Sequence, residues 1–209
     1  MSASPVTIDL SDVALEGELL VPDGAKGIVV FAHGSGSSRH SPRNNFVAEV
    51  LREHGLGTLL FDLLTEREDR SRERRFDIEL LTERLIGATD WLRHRGDVGH
   101  LDVGYTGSST GAAAALRAAA RRDDVGAVVS RGGRVDLAAG EWEAVTAPTL
   151  MIVGGDDESV LAVNRDARDH LGAETKLAIV EGAGHLFEGE GELETVAALA
   201  AEWFVEYVG

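Results

Sequence analysis

The chain has 209 residues and no cysteine, which excludes disulfides, thiolate nucleophiles and cysteine-bound metals at once. Hydrophobic residues at 44% and charged residues at 27% are ordinary globular proportions, so a single domain over residues 1–209 is expected, neither disordered nor fibrous. The formal net charge of −16 repels nucleic acid and anionic membrane surfaces, and neither is expected as a partner.

Residues 6–10 and 14–21 read as two strands of an antiparallel hairpin at one sheet edge. A strand follows at 28–33, then a helix at 43–54 that begins near Pro42, then a strand at 58–62. Residues 65–75 mix acidic and arginine side chains in near balance, and read either as a solvated loop or as a lid that orders over substrate. In the helix expected at 76–95, Leu80, Leu81, Leu85, Ala88, Trp91 and Leu92 recur at three- and four-residue spacing and form one buried stripe. A strand at 103–107 leads into an alanine-rich helix at 110–122. Strands at 127–130, 150–154 and 177–180, with helices at 159–171 and 191–207, complete the alternation. About eight strands in this order imply an α/β fold, a mostly parallel sheet with helices on both faces. Such sheets bind ligands at the carboxyl ends of their strands, where the chain's unusual residues also fall.

The sharpest of these is Gly107-Ser108-Ser109-Thr110-Gly111, set between a strand and a helix. A G-x-S-x-G run in that context is a nucleophile elbow: flanking glycines permit a sharp turn that exposes the Ser109 hydroxyl, and the helix N-terminus offers free amides such as that of Thr110. A serine needs a base, and His185 in Gly182-Ala183-Gly184-His185 follows the last expected strand. His54, His94, His100 and His170 fall at helix ends or in surface loops and read as solvated. With this elbow the acid comes between serine and histidine, and the run Gly154-Gly155-Asp156-Asp157 supplies it. Asp157 is the expected acid, with Asp156 as the alternative or as a cap of the following helix. After the first parallel strand, His33-Gly34-Ser35-Gly36-Ser37-Ser38 is small enough for backbone amides to face the site, and the Ser35 amide is expected to join that of Thr110 in an oxyanion hole. His33 reads as structural. The loop lacks the G-K-[ST] ending of a P-loop, which weakens a phosphate-binding reading.

Residues 33–44 (His-Gly-Ser-Gly-Ser-Ser-Arg-His-Ser-Pro-Arg-Asn), Gly107 to Gly111, Ser130-Arg131-Gly132-Gly133, the loop from Gly154 to Asp157 and Gly184-His185 together resemble the dienelactone hydrolase-like group of α/β-hydrolases, over nearly the whole chain. They match particularly the subgroup found fused to phosphoribosyltransferase domains. The resemblance implies the α/β-hydrolase fold and hydrolysis of an ester or lactone. Dienelactone hydrolases proper use a cysteine nucleophile, where this chain has Ser109.

Only residues 131–149 separate two of the strands, too few for a helical cap domain, so an open site for a small polar ester or lactone is expected. Gly34, Gly36, Arg39, His40 and Arg131 are the expected substrate-binding residues. Arg131 and Arg134 would hold a substrate carboxylate, or an arginine here would pair with an acidic loop such as the one at Asp136 instead. The chemistry calls for no metal and no organic cofactor. A non-catalytic binding protein of the same fold and an acyltransferase are the rival readings. No leader pattern and no long apolar run is present, and the cytoplasm is the expected location. Lysine occurs only at Lys26 and Lys176, a pattern of salt-adapted proteins and equally of an ordinary acidic protein from a GC-rich gene.

Overall fold

The computed structural model describes residues 4–209. Its elements are β1 (Ser4–Asp9), β2 (Ala14–Leu20), β3 (Gly27–Ala32), α1 (Pro42–Glu53), β4 (Gly57–Phe61), α2 (Glu66–Asp69), α3 (Arg72–Arg75), α4 (Ile78–Arg93), β5 (Asp102–Ser108), α5 (Thr110–Ala120), β6 (Val125–Arg131), a run of 3-10 turns (Val135–Ala144), β7 (Thr149–Gly154), α6 (Glu158–His170), β8 (Thr175–Val180) and α7 (Glu192–Val208). The eight strands form one sheet in the order β1-β2-β4-β3-β5-β6-β7-β8. β1 and β2 pair antiparallel as the expected hairpin, and β2 runs antiparallel beside β4; the other pairs are parallel. This is the α/β-hydrolase fold, with no cap domain between β6 and β7.

The strands are apolar on both faces because both faces are covered. Ile28, Val30 and Ala32 join the core formed with α4 and α5, while Val29 and Phe31 point the other way, among residues of α1 and α7. A Cβ on Gly104 would come 2.6 Å from Phe204, so α7 seats directly against β5. On the opposite face, Tyr105 is fully buried with its hydroxyl 2.6 Å from Thr89 Oγ1, and burial pushes the phenol up to about 12.

Residues 65–75 are more ordered than the solvated loop of the first reading. They form two single helical turns, α2 capped by Thr65 and α3 by Ser71. Thr65 and Glu68 make a reciprocal capping box, and Glu68 also reaches the buried Arg84 of α4 at 3.3 Å. The chain visits β4 on one side of β3 and then crosses to β5 on the other, which makes the β3–β5 junction the topological switch point. No helix among the described residues is long and apolar enough to cross a membrane.

Candidate active site

Ser109 sits at the carboxyl end of β5, beside that junction, with φ 51° and ψ −118°. A positive φ in a residue with a Cβ is strained, and the surroundings hold it in place. The Ser109 amide donates to the Arg131 carbonyl at 3.3 Å, and its own carbonyl accepts from the amide of Arg134 at 3.0 Å. The flanking glycines are required sterically. A Cβ on Gly107 would lie 2.5 Å from the Ala112 backbone, and one on Gly111 would collide with the Ala32 carbonyl. Ser109 Oγ makes no hydrogen bond among the described residues, so the elbow presents it free.

His185 Nδ1 lies 2.6 Å from Asp157 Oδ2. Asp157 occupies the N-cap position of α6 yet makes no side-chain capping bond, which leaves its carboxylate to the imidazole. Asp156 is exposed and forms no ion pair among the described residues. The two loops are stitched through their backbones: Gly155 N–H donates to the Val180 carbonyl at 2.9 Å and Asp156 N–H to the Ala183 carbonyl at 3.0 Å. Gly154 is what lets them meet, since a Cβ there would strike the Ala183 carbonyl. The imidazole in turn rests over Gly132, where a Cβ would lie 3.5 Å from Nδ1 and Cε1. Residues 131–134 therefore touch serine on one side and histidine on the other.

The loop after β3 closes a tight turn, with Ser37 N–H on the Gly34 carbonyl at 3.1 Å and Gly36 at φ 73°, as a type II turn requires. A Cβ on Gly34 would come 3.2 Å from Ser109 Cβ, so the loop abuts the elbow. His33 is structural: it is buried, with Nδ1 donating to the Gly34 carbonyl and Nε2 accepting from Leu63 N–H, each at 3.0 Å. Burial holds its pKa below the usual histidine value. The Ser35 amide, expected to be open for an oxyanion, instead donates to Thr110 Oγ1 at 2.9 Å. The Thr110 amide has no acceptor among the described residues and begins an eleven-residue helix.

A family model described as the dienelactone hydrolase family matches residues 15–206. The chain belongs to the dienelactone hydrolase family. It is 55% identical to a crystal structure of a dienelactone hydrolase from Anabaena variabilis, with a TM-score of 0.98 over 100% of this chain and 99% of that one. It is also 55% identical, over 204 residues, to a Mycobacterium tuberculosis protein that carries the name of a phosphoribosyl transferase. That match takes in 97% of this chain and 46% of the relative, so the chain spans about half the length of the curated relative. Est1E from Butyrivibrio proteoclasticus, at 18% identity and a TM-score of 0.81 over 97% of this chain and 98% of its own, shares the fold.

Within this dienelactone hydrolase-family site, the cations expected to meet substrate are engaged elsewhere. Arg39 binds Asp62 through its guanidinium and also through its amide, at 2.7 Å. His40 points outward, 3.8 Å from Glu18. Arg131 directs Nη2 to Asn44 Oδ1 at 2.9 Å, toward α1, while its Nη1 is sealed from solvent without a partner among the described residues. Burial, aided by the nearby Arg43 cation, pulls the Arg131 pKa down to about 10. Arg134 is the arginine that pairs with Asp136. Sequence reasoning passed over Asn164 and Phe187. Asn164 is buried on α6 and donates to the Gly133 carbonyl. Phe187, at φ 54°, plugs the turn that carries His185 into the core. Neither lies in a motif; only the run Gly132-Gly133 after a strand hinted at a crowded loop. Among the described residues no cluster of three His, Asp or Glu side chains is placed to hold a metal ion.

Proposed function

We propose that this member of a hydrolase family is a serine-dependent carboxylic ester hydrolase, a single catalytic domain acting on a small ester or lactone through an acyl-enzyme. The observation that carries the reading is the 2.6 Å pair of His185 and Asp157, set over the Gly132 loop that also grips the strained Ser109. In this reading Asp157 fixes the imidazole with Nδ1 protonated, which leaves Nε2 as the base. His185 takes the Ser109 proton as Oγ attacks the substrate carbonyl, then returns it to the leaving alcohol. Water, activated by the same imidazole, releases the acid and restores the serine.

The tetrahedral oxyanion meets the free Thr110 amide at the start of α5. The Ser35 amide serves as the second donor when it exchanges Thr110 Oγ1 for the oxyanion, a step that costs one neutral hydrogen bond and gains a charge-assisted one. Loss of either donor raises the barrier by about 3 kcal/mol. Arg39, His40 and Arg131 act on substrate only indirectly in this scheme, because Asp62 binds Arg39, His40 points outward, and Arg131 is buried with Nη2 on Asn44.

The test is covalent labelling by a fluorophosphonate together with turnover of short aryl esters and lactones, in wild type and Ser109→Ala. Labelling and turnover that both vanish in the folded variant support the reading. A folded wild-type protein that neither labels nor turns over esters would be the binding-protein rival, and turnover that survives Ser109→Ala would remove the serine mechanism. Product analysis with competing alcohols separates hydrolysis from acyl transfer.

A further inference from the structure

A cavity of about 410 Å³ opens beside the loop after β3, at the carboxyl ends of β3 and β4 and against the start of β2. That size lies within the range of about 300–1,000 Å³ common to small-molecule sites. The tight turn at Gly34–Ser37 separates it from Ser109. Gly34 touches the elbow on one side, and Ser37 and Ser38 line the cavity on the other. A substrate whose carbonyl sits at Ser109 would have to pass over that one turn of backbone to enter the cavity.

The walls are apolar where Leu15 of β2 and Leu64 after β4 meet. Their charges are mostly negative. Glu16, Asp62, Glu66 and Asp69 are the acidic residues along the cavity, against the single arginine Arg39, which is bound to Asp62. Asp69 is answered by Arg75 and Glu66 by the exposed Arg70, whereas Glu16 has no ion-pair partner among the described residues. An entering carboxylate would find no unpaired cation among the lining residues and would add to the unpaired negative charge of Glu16 on the rim; an uncharged or cationic group would meet apolar walls and a favourable field.

We infer that this cavity is the subsite for one end of the ester, and that it takes an uncharged or cationic chain and rejects an anionic one. The inference rests on the serine-hydrolase reading and sharpens it to a substrate class.

The experiment compares kcat/KM for two series of six-carbon esters whose chains end in methyl, trimethylammonium or carboxylate. One series varies the acyl chain of an aryl ester and the other varies the alcohol of an acetate. In one series the carboxylate end should be about tenfold worse than the methyl end, as a single like-charge contact near a protein surface allows. The series that shows it tells whether acyl or alcohol occupies the subsite. Glu16→Lys should shrink that discrimination several-fold, and Ala14→Trp, at an exposed position on the cavity rim, should lower the ratio of six-carbon to two-carbon turnover. Equal rates for all three ends in both series would overturn the subsite. So would discrimination that ignores both substitutions and fades in salt, since it would then belong to the net charge of the whole chain. These outcomes are read with Ser109→Ala as reference: turnover that survives that substitution counts against the serine mechanism instead.

Discussion

Asn164 on α6 donates its carboxamide N–H to the carbonyl of Gly133 at 2.9 Å and to that of Val160 at 2.8 Å. The helix that begins after Asp157 is thereby tied to the loop that supports the His185 imidazole and holds the Ser109 backbone. Asn164→Leu keeps the volume and removes that tie. The expected outcome is a kcat lower by about 10- to 100-fold, the cost of a small misplacement of catalytic groups. KM should move little, and stability should drop by about 1–3 kcal/mol for the unpaired Gly133 carbonyl. Steady-state kinetics, thermal melts and fluorophosphonate labelling rates check this together; a folded variant with unchanged kcat would deny Asn164 any positioning role.

Asp157 and Asp156 are adjacent in the chain, but one alone meets the imidazole. Asp157→Asn should lower kcat by about 10⁴-fold through the wrong imidazole tautomer. Asp156→Asn should stay near wild type, because the loop uses its backbone amide and leaves its side chain in solvent. Equal losses in the two variants would reassign the acid.

Gly111 and Gly140 make a steric pair of opposites. A Cβ on Gly111 runs into the Ala32 carbonyl, whereas a Cβ on Gly140 meets nothing within 4 Å. Gly111→Ala should cost on the order of 3 kcal/mol or more, because backbone has to yield. Gly140→Ala should stay within about 0.5 kcal/mol of wild type. Denaturant midpoints measure both, and a Gly111→Ala protein as stable as wild type would show that the contact of α5 with the end of β3 is looser than described.

Glu141 bridges Arg117 and Arg121 on the face of α5. The Arg121 hydrogen bond, with that of Arg117, pulls its carboxyl down from 4.5 to about 2. A folded pKa below the unfolded one means the stabilisation is complete above pH 4.5 and disappears as pH falls through about 2. Glu141→Gln should therefore melt earlier than wild type at neutral pH, with the gap closing between pH 4.5 and 2. Thermal melts across that range decide it; a gap that stays constant would mean the carboxylate charge contributes nothing.

Much of the backbone is legible from neighbouring residues. Gly107 and Gly111 around Ser109, between an apolar run and an alanine-rich one, announce a strand, a sharp turn and a helix within a dozen positions. The capping box at Thr65 and Glu68 is legible too, as T-x-x-E, although the dense charge around it suggests a featureless loop. That β2 lies beside β4 and not β3 is not legible, because pairing partners are chosen by burial across the whole sheet.

The sequence by itself determined where the chain turns and which small residues crowd the elbow, since backbone conformation answers to residues a few places away. The tertiary structure alone decided what each long side chain does. Arg39, His40 and Arg131 all border the site in sequence terms, yet Asp62, Glu18 and Asn44 take them up from 23, 22 and 87 positions away. A guanidinium on a flexible stem swings to the partner that folding brings within reach, and local sequence carries no information about that partner.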